Sequence, residues 1–358
     1  MKEKEYVFDA SYQPQVRAKR DTRSIMLDVL IALAPAFLFG VWQFGIMVVV
    51  NTVVSVGVCI LFEYLYRHWM HKNNMIGDLS AAVTGLLMVL ILPPTAPWWV
   101  IVIGDAFAII VVKQLYGGLG KNFLNPALAG RAFLFSSYTA ILTTWTLPSS
   151  LSKLTIDQLG AAVSSGTTID AVTMATPLSF MKTGAALPEI YSLKAMFLGT
   201  MPGCVGEVSA LALIIGGVYL LCRKVITWHI PVSYLGSVAL LCLIFGKSGY
   251  SNVDWMLYNL LSGGLILGAF FMATDYATSP VTEKGRIIYG VGCGALTMLI
   301  RYFGGFPEGV TFAILIMNTC AWLFDKVNPQ RQFGVSKEDI KNAKAEKKAA
   351  KKAAKEAA

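Results

Sequence analysis

Apolar residues in this chain gather into long runs instead of alternating with polar ones. A run of about 17–25 predominantly apolar residues is the length that crosses a bilayer as a helix. Ten such runs are read, at residues 25–44, 46–66, 77–92, 97–115, 124–142, 204–222, 229–246, 255–273, 286–304 and 309–325. The fifth is the least regular, because Asn125-Pro126 and Arg131 lie inside it. The pattern predicts an all-α integral membrane protein with about ten transmembrane helices, five on each side of a polar loop. An odd number of crossings per half gives the halves opposite orientation. Two inverted five-helix repeats, with broken helices meeting at their interface, are the fold this predicts. The organisation read from the chain is a tail over 1–24, a first repeat over 25–142, a loop over 143–203, a second repeat over 204–325 and a tail over 326–358.

Composition agrees with that reading. The chain is 55% hydrophobic and only 14% charged, which carries too much apolar surface for a soluble domain. The first 24 residues are polar and basic and hold no apolar core of the signal-peptide kind. Basic residues set the orientation, since they accumulate on the cytoplasmic side close to span ends. With both termini cytoplasmic, 24 of the 30 lysines and arginines fall inside and five outside, with Arg131 left within a run. The 24 include Arg67 and Lys113; the five are Lys153, Lys182, Lys194, Lys247 and Arg301. The loop over 143–203 is therefore expected on the extracytoplasmic face of a multi-pass protein of the bacterial cytoplasmic (inner) membrane. The net charge of +9 sits in tails and short loops, which argues against nucleic acid as a partner and for contact with membrane lipid.

Most cofactor classes find no ligands here. The six cysteines show no Cys-x-x-Cys spacing, so an iron–sulfur cluster held by this chain alone is not expected. Cys204, next to the external face, stays open to contact with a partner's cofactor. His68 and His71 share a cytoplasmic turn, and no histidine pair faces another at bilayer depth as a haem would need. Neither a dinucleotide-binding glycine motif nor a Walker motif is present, no metal site is read, and catalysis by the chain alone is not expected. Among carboxylates in or near the runs, Asp105 lies deepest and is the favoured ion-path candidate; Asp28, Asp78, Asp254, Asp275 and Glu308 read as interfacial.

Two stretches carry chemistry. Residues 170–176, Asp-Ala-Val-Thr-Met-Ala-Thr, precede Pro177 in the external loop. They resemble the Asp-x-x-Ser/Thr-Gly-Ala-Thr signal read by flavin transferases, which esterify the last Thr with the phosphate of FMN. The resemblance implies covalent FMN on Thr176, with Asp170, Thr173 and Ala175 as recognition residues and Met174 where the signal usually has Gly. The second stretch runs from Gly117 to Phe133 and includes Gly117-Gly118-Leu119-Gly120, Asn122 and Asn125-Pro126. Pro126 breaks a helical ladder at a depth where only protein or a cavity can cover the freed groups. Asn122 and Asn125 then either pack a kinked helix crossing or offer amides to a flat polar heterocycle.

Taken with Phe271-Met272-Ala273-Thr274-Asp275, these stretches resemble the D subunits of Rnf electron-transport complexes from about Ser11 to Gln332. The B subunits of sodium-translocating NADH:quinone reductases are close relatives. Tyr276 stands where many relatives have Pro. The resemblance implies a flavin-carrying membrane subunit of an ion-translocating ferredoxin:NAD+ oxidoreductase, coupled to Na+ or H+. It further implies noncovalent riboflavin in the membrane domain, for which Asn122 and Asn125 are the candidates. The implied partners are the other Rnf subunits, with their iron–sulfur and flavin centres, and a flavin transferase during maturation. The alternatives are a B-type quinone reductase subunit and a non-redox solute permease of the urea-channel type.

Overall fold

A computed structural model describes residues 20–72, 76–145, 176–183, 191–207, 209–246, 250–305 and 308–327. Every regular element among them is helical. The first half holds α1 (Thr22–Phe44), α2 (Met47–Trp69), α3 (Ser80–Leu90), α4 (Trp98–Ala106, widening into a π-helix over Phe107–Gln114) and α5 (Pro126–Ser137). Two short helices follow, α6 (Pro177–Thr183) and α7 (Leu193–Leu198). The second half holds α8 (Ala210–Cys222), α9 (His229–Ile244), α10 (Asn252–Leu261), α11 (Leu265–Leu267, widening into a π-helix over Gly268–Met272), α12 (Glu283–Phe303) and α13 (Val310–Val327).

α1 and α2 are each long and apolar enough to cross a bilayer. α10 and α11 with its π extension make a third such stretch, but bent by 64°. The expected continuous run at 255–273 is thus two half-helices. The break is local: Ser262 is extended, and Gly263 and Gly264 have φ of +73° and +63°, a region costly to any residue with a Cβ. At the start of α3, Leu79 adopts φ +63° with a leucine side chain in place.

Part of the helix packing is common to the two halves. α2 packs on α3 and α4, and α9 packs on α10 and α12; α4 packs on α5 as α12 packs on α13. Between the halves, α1 lies against α8 and α5 against α13. Small residues permit the closest crossings, as expected where van der Waals packing draws apolar helices together. A Cβ on Gly216 would sit 2.0 Å from the carbonyl oxygen of Ala32, so α8 and α1 meet backbone to backbone. Gly290 and Gly294, one turn apart on α12, face the hydroxyls of Ser233 and Ser237 on α9.

Candidate functional site

The broken elements converge on a cavity lined by Met26 and Val29 of α1, Ser80 and Thr84 of α3, Asn122, Asn125, Phe270, Phe271 and Thr274, among others. Local chemistry fixes each wall. Asp78 Oδ1 accepts hydrogen bonds from the Ser80 backbone N (2.8 Å) and hydroxyl (2.7 Å), which pins the start of α3. Asn125 caps α5 by accepting from Leu128 N at 3.3 Å, with Pro126 at the first helical position, where its missing N–H costs nothing. Its amide nitrogen donates to the Met272 carbonyl at 3.2 Å, at the end of the second π-helix. Asn122 donates to the Leu124 carbonyl at 2.9 Å. The structure therefore brings both predicted asparagines to one cavity. It commits one end of the Asn125 amide to capping α5 and the other to holding that helix against the second half, which is the packing role. Tyr276, exposed at the cavity mouth, hydrogen-bonds the Val225 carbonyl.

One side of this cavity carries buried charge. Lys113 donates to Glu63 at 2.9 Å and to the Ser80 hydroxyl at 2.6 Å, and Gln114 donates to the other Glu63 oxygen at 2.8 Å. Lys113 is 2% exposed and Arg67, one turn after Glu63, is also buried, so these two belong to the interior and not to a cytoplasmic loop. Arg301, expected outside, is buried as well. Sequence reading passed over Glu63, whose only signal was a lone carboxylate within an otherwise apolar 23-residue helix. Asp105 is fully buried beside Ser55 and Cys59 and lines neither this cavity nor the one described below.

α1 runs about 34 Å at 1.5 Å per residue for its 23 residues. It connects the cavity, at Met26, to a second charged group near Gly40, which packs on Val205. There Arg131 of α5 pairs with Glu308 at 2.5 Å and donates to the Thr311 hydroxyl at 3.1 Å and the Cys204 sulfur at 3.6 Å. Cys204, Glu207 and Glu308 bring one ligand atom each within 4.8 Å of one another. The guanidinium on Glu308 and Cys204 makes this an ion-pair knot tying the two halves together. Cys204 is 1% exposed, so it is an interior residue and not a surface ligand for a partner's cofactor. Glu207, also missed in the sequence, sits just ahead of α8.

Thr176 lies at this same end, immediately before α6. Its carbonyl accepts from the Ser179 backbone N at 2.9 Å and the Ser179 hydroxyl at 2.8 Å, and the residue is 7% exposed. Asp170, Thr173 and Ala175 lie outside the described residues, as do both tails and Met174. Beside α6 opens a second cavity walled by Leu178, Met181, Trp255, Asn259, Arg301 and Tyr302.

Residues 9–334 match the model of the NQR2, RnfD, RnfE family. The chain belongs to that family. Within it, the sequence is 42% identical over 329 residues to the D subunit of the Na(+)-translocating ferredoxin:NAD(+) oxidoreductase complex of Acetobacterium woodii, covering 91% of this chain and 95% of the relative. It is 41% identical to the D subunit of the proton-translocating ferredoxin:NAD(+) oxidoreductase complex of Clostridium ljungdahlii, covering 92% and 97%. It is 37% identical to the D subunit of the ion-translocating oxidoreductase complex of Salmonella paratyphi A, covering 92% and 99%. The match of the NQR2, RnfD, RnfE family takes in both halves of the fold, both cavities and the loop between them.

Proposed function

We propose that this chain is the D subunit of an ion-translocating ferredoxin:NAD+ oxidoreductase and relays electrons by flavin within a bacterial membrane. The observation that carries the reading is 37–42% identity, along more than nine-tenths of the chain, to subunits so named. Such a subunit works with the other subunits of its complex and not alone. Relatives of nearly equal identity are named for different ions, Na+ and protons, so overall resemblance does not distinguish the two. The packing shared in part by α1–α5 and α8–α13 supports two inverted five-helix repeats and ten crossings. Charge supports both termini being cytoplasmic. Setting aside Arg67 and Lys113 on one side and buried Arg301 on the other leaves 22 basic residues against 4.

In this reading FMN is esterified to the Thr176 hydroxyl by a transferase on the extracytoplasmic side, and riboflavin occupies the first cavity near the cytoplasmic side. The residues fit that assignment. Phe270, Phe271 and Leu87 offer apolar faces, while Asn122, Thr84, Thr274 and Lys113 offer polar atoms to a ring edge. Flavin supplies one- and two-electron exchange; the protein supplies position and electrostatics.

The test uses the full chain matured with its transferase and purified from its own membrane. Thr176→Ala should lose the fluorescent band that survives denaturing electrophoresis while keeping acid-extractable flavin. Ala127→Phe, which fills the first cavity from α5, should lose extractable flavin while keeping the covalent band. A wild-type protein with no covalent band, or one mapped to another residue, would defeat the Thr176 assignment. Unchanged extractable flavin in Ala127→Phe would remove riboflavin from that cavity.

A further inference from the structure

The second cavity has a volume of about 310 Å³ and more room than the first. Three features give it the character of a site. The first is position. Leu178 and Met181 of α6 form one wall, and Thr176 is two residues ahead of Leu178, its carbonyl locked to the first turn of that helix. The second is charge. Arg301 is buried, yet its guanidinium rests on neutral acceptors: the Asn259 carbonyl (2.6 Å) and side-chain oxygen (3.3 Å) and the Ser262 carbonyl (3.0 Å). No carboxylate lies within ion-pair distance of it among the described residues, and its Nε–H meets no acceptor there. Glu207 and Glu308 act on it only from beyond that distance, and a buried cation so weakly compensated is costly to keep. Gly263 leaves the space for it, since a Cβ there would sit 2.7 Å from the guanidinium. The third is a rigid aromatic wall: Trp255 donates from Nε1 to the Tyr302 hydroxyl at 2.7 Å, with ring centroids 6.2 Å apart.

We propose that this cavity is the seat of the isoalloxazine ring of the flavin on Thr176, with Arg301 facing its carbonyl edge and Trp255 and Tyr302 beside its face. The inference rests on the covalent-flavin reading above. A flavin ring gathers negative charge at that edge when it is reduced, and a fixed cation nearby favours the reduced form. The esterified phosphate offers Arg301 an anion too, but it would give Trp255 and Tyr302 no role in the site. Arg301 and the two rings act here as positioning and tuning groups.

The experiment uses the full chain matured with its transferase, with covalent flavin content read on denaturing gels. In the native protein, the fluorescence of the covalent flavin is obtained by subtracting the signal of Thr176→Ala. Trp and Tyr quench flavin emission on contact, so this signal should rise severalfold in the double variant Trp255→Phe and Tyr302→Phe, at unchanged covalent content. Arg301→Gln should lower the midpoint potential of the covalent flavin, and Arg301→Lys should restore part of it. If Arg301→Gln does not accumulate, the aromatic double variant carries the test by itself. Covalent flavin present in full, with fluorescence unchanged in the double variant, overturns the ring placement and leaves the Thr176 reading standing. A lowered potential with unchanged fluorescence assigns Arg301 to the phosphate and overturns it likewise. Absence of covalent flavin in the wild type overturns both.

Discussion

At the scale of single residues, buried charge is what separates this interior from a plain apolar bundle. Glu63 holds Lys113 and Gln114 at hydrogen-bond distance, with all three side chains shielded from solvent. Removing one partner of such a pair leaves the other charge stranded, which costs about 3–5 kcal/mol. Glu63→Gln is therefore expected to lower the melting temperature of the detergent-solubilised protein markedly. Adding Lys113→Met should recover part of the loss, the rest remaining because Arg67, 3.7 Å from Glu63, still lacks its carboxylate. A single variant as stable as wild type would show that Lys113 does not depend on the Glu63 charge. Asn125 teaches a related lesson. The sequence marks it as polar at a helix break, but not that its amide is spent on Leu128 and Met272, because the second partner is 147 positions away.

At the scale of elements, glycine placement decides which crossings are tight. Gly216→Ala would press a methyl group into the Ala32 carbonyl, so backbone must move, and a loss of about 1–3 kcal/mol is expected. Gly57, on the exposed face of α2 with nothing within 4 Å of a Cβ, makes the control. Gly57→Ala should be neutral or gain up to about 1 kcal/mol from helix propensity. Thermal unfolding of the two variants side by side checks the contrast. Apolar runs gave away where the helices lie: each of the ten holds helical residues, and most boundaries agree within a few positions. They hid the break at Ser262–Gly264 and the two π-helices, because those segments are as apolar as their neighbours and their geometry depends on what packs beside them. Gly263-Gly264 was the available signal for the break. Positive-inside counting misassigned Arg67, Lys113 and Arg301 for a different reason: it treats a basic residue near a run's end as solvent-facing, whereas here each turns inward to acceptors within the protein.

At the scale of the whole molecule, the orientation proposed from charge has a direct check in residues the structure describes. Cys222 is an exposed native thiol at the end of α8, while Cys59, Cys204, Cys242 and Cys293 are buried. Lys194 is exposed on α7, in the loop region proposed to lie outside. An impermeant thiol reagent added to intact cells should label Lys194→Cys and leave Cys222 unlabelled until the membrane is opened. The opposite pattern would invert the protein and put Thr176 on the cytoplasmic side. The burial of Thr176 also has a meaning in time. The proposed ester would join flavin to a residue that is only 7% exposed at the foot of α6. Under the proposed function, we infer that flavin loading belongs to biogenesis, not to maintenance. On that inference, a cell short of flavin during synthesis would be left with empty subunits that later supply cannot repair, and only newly made chains would restore the proposed electron relay.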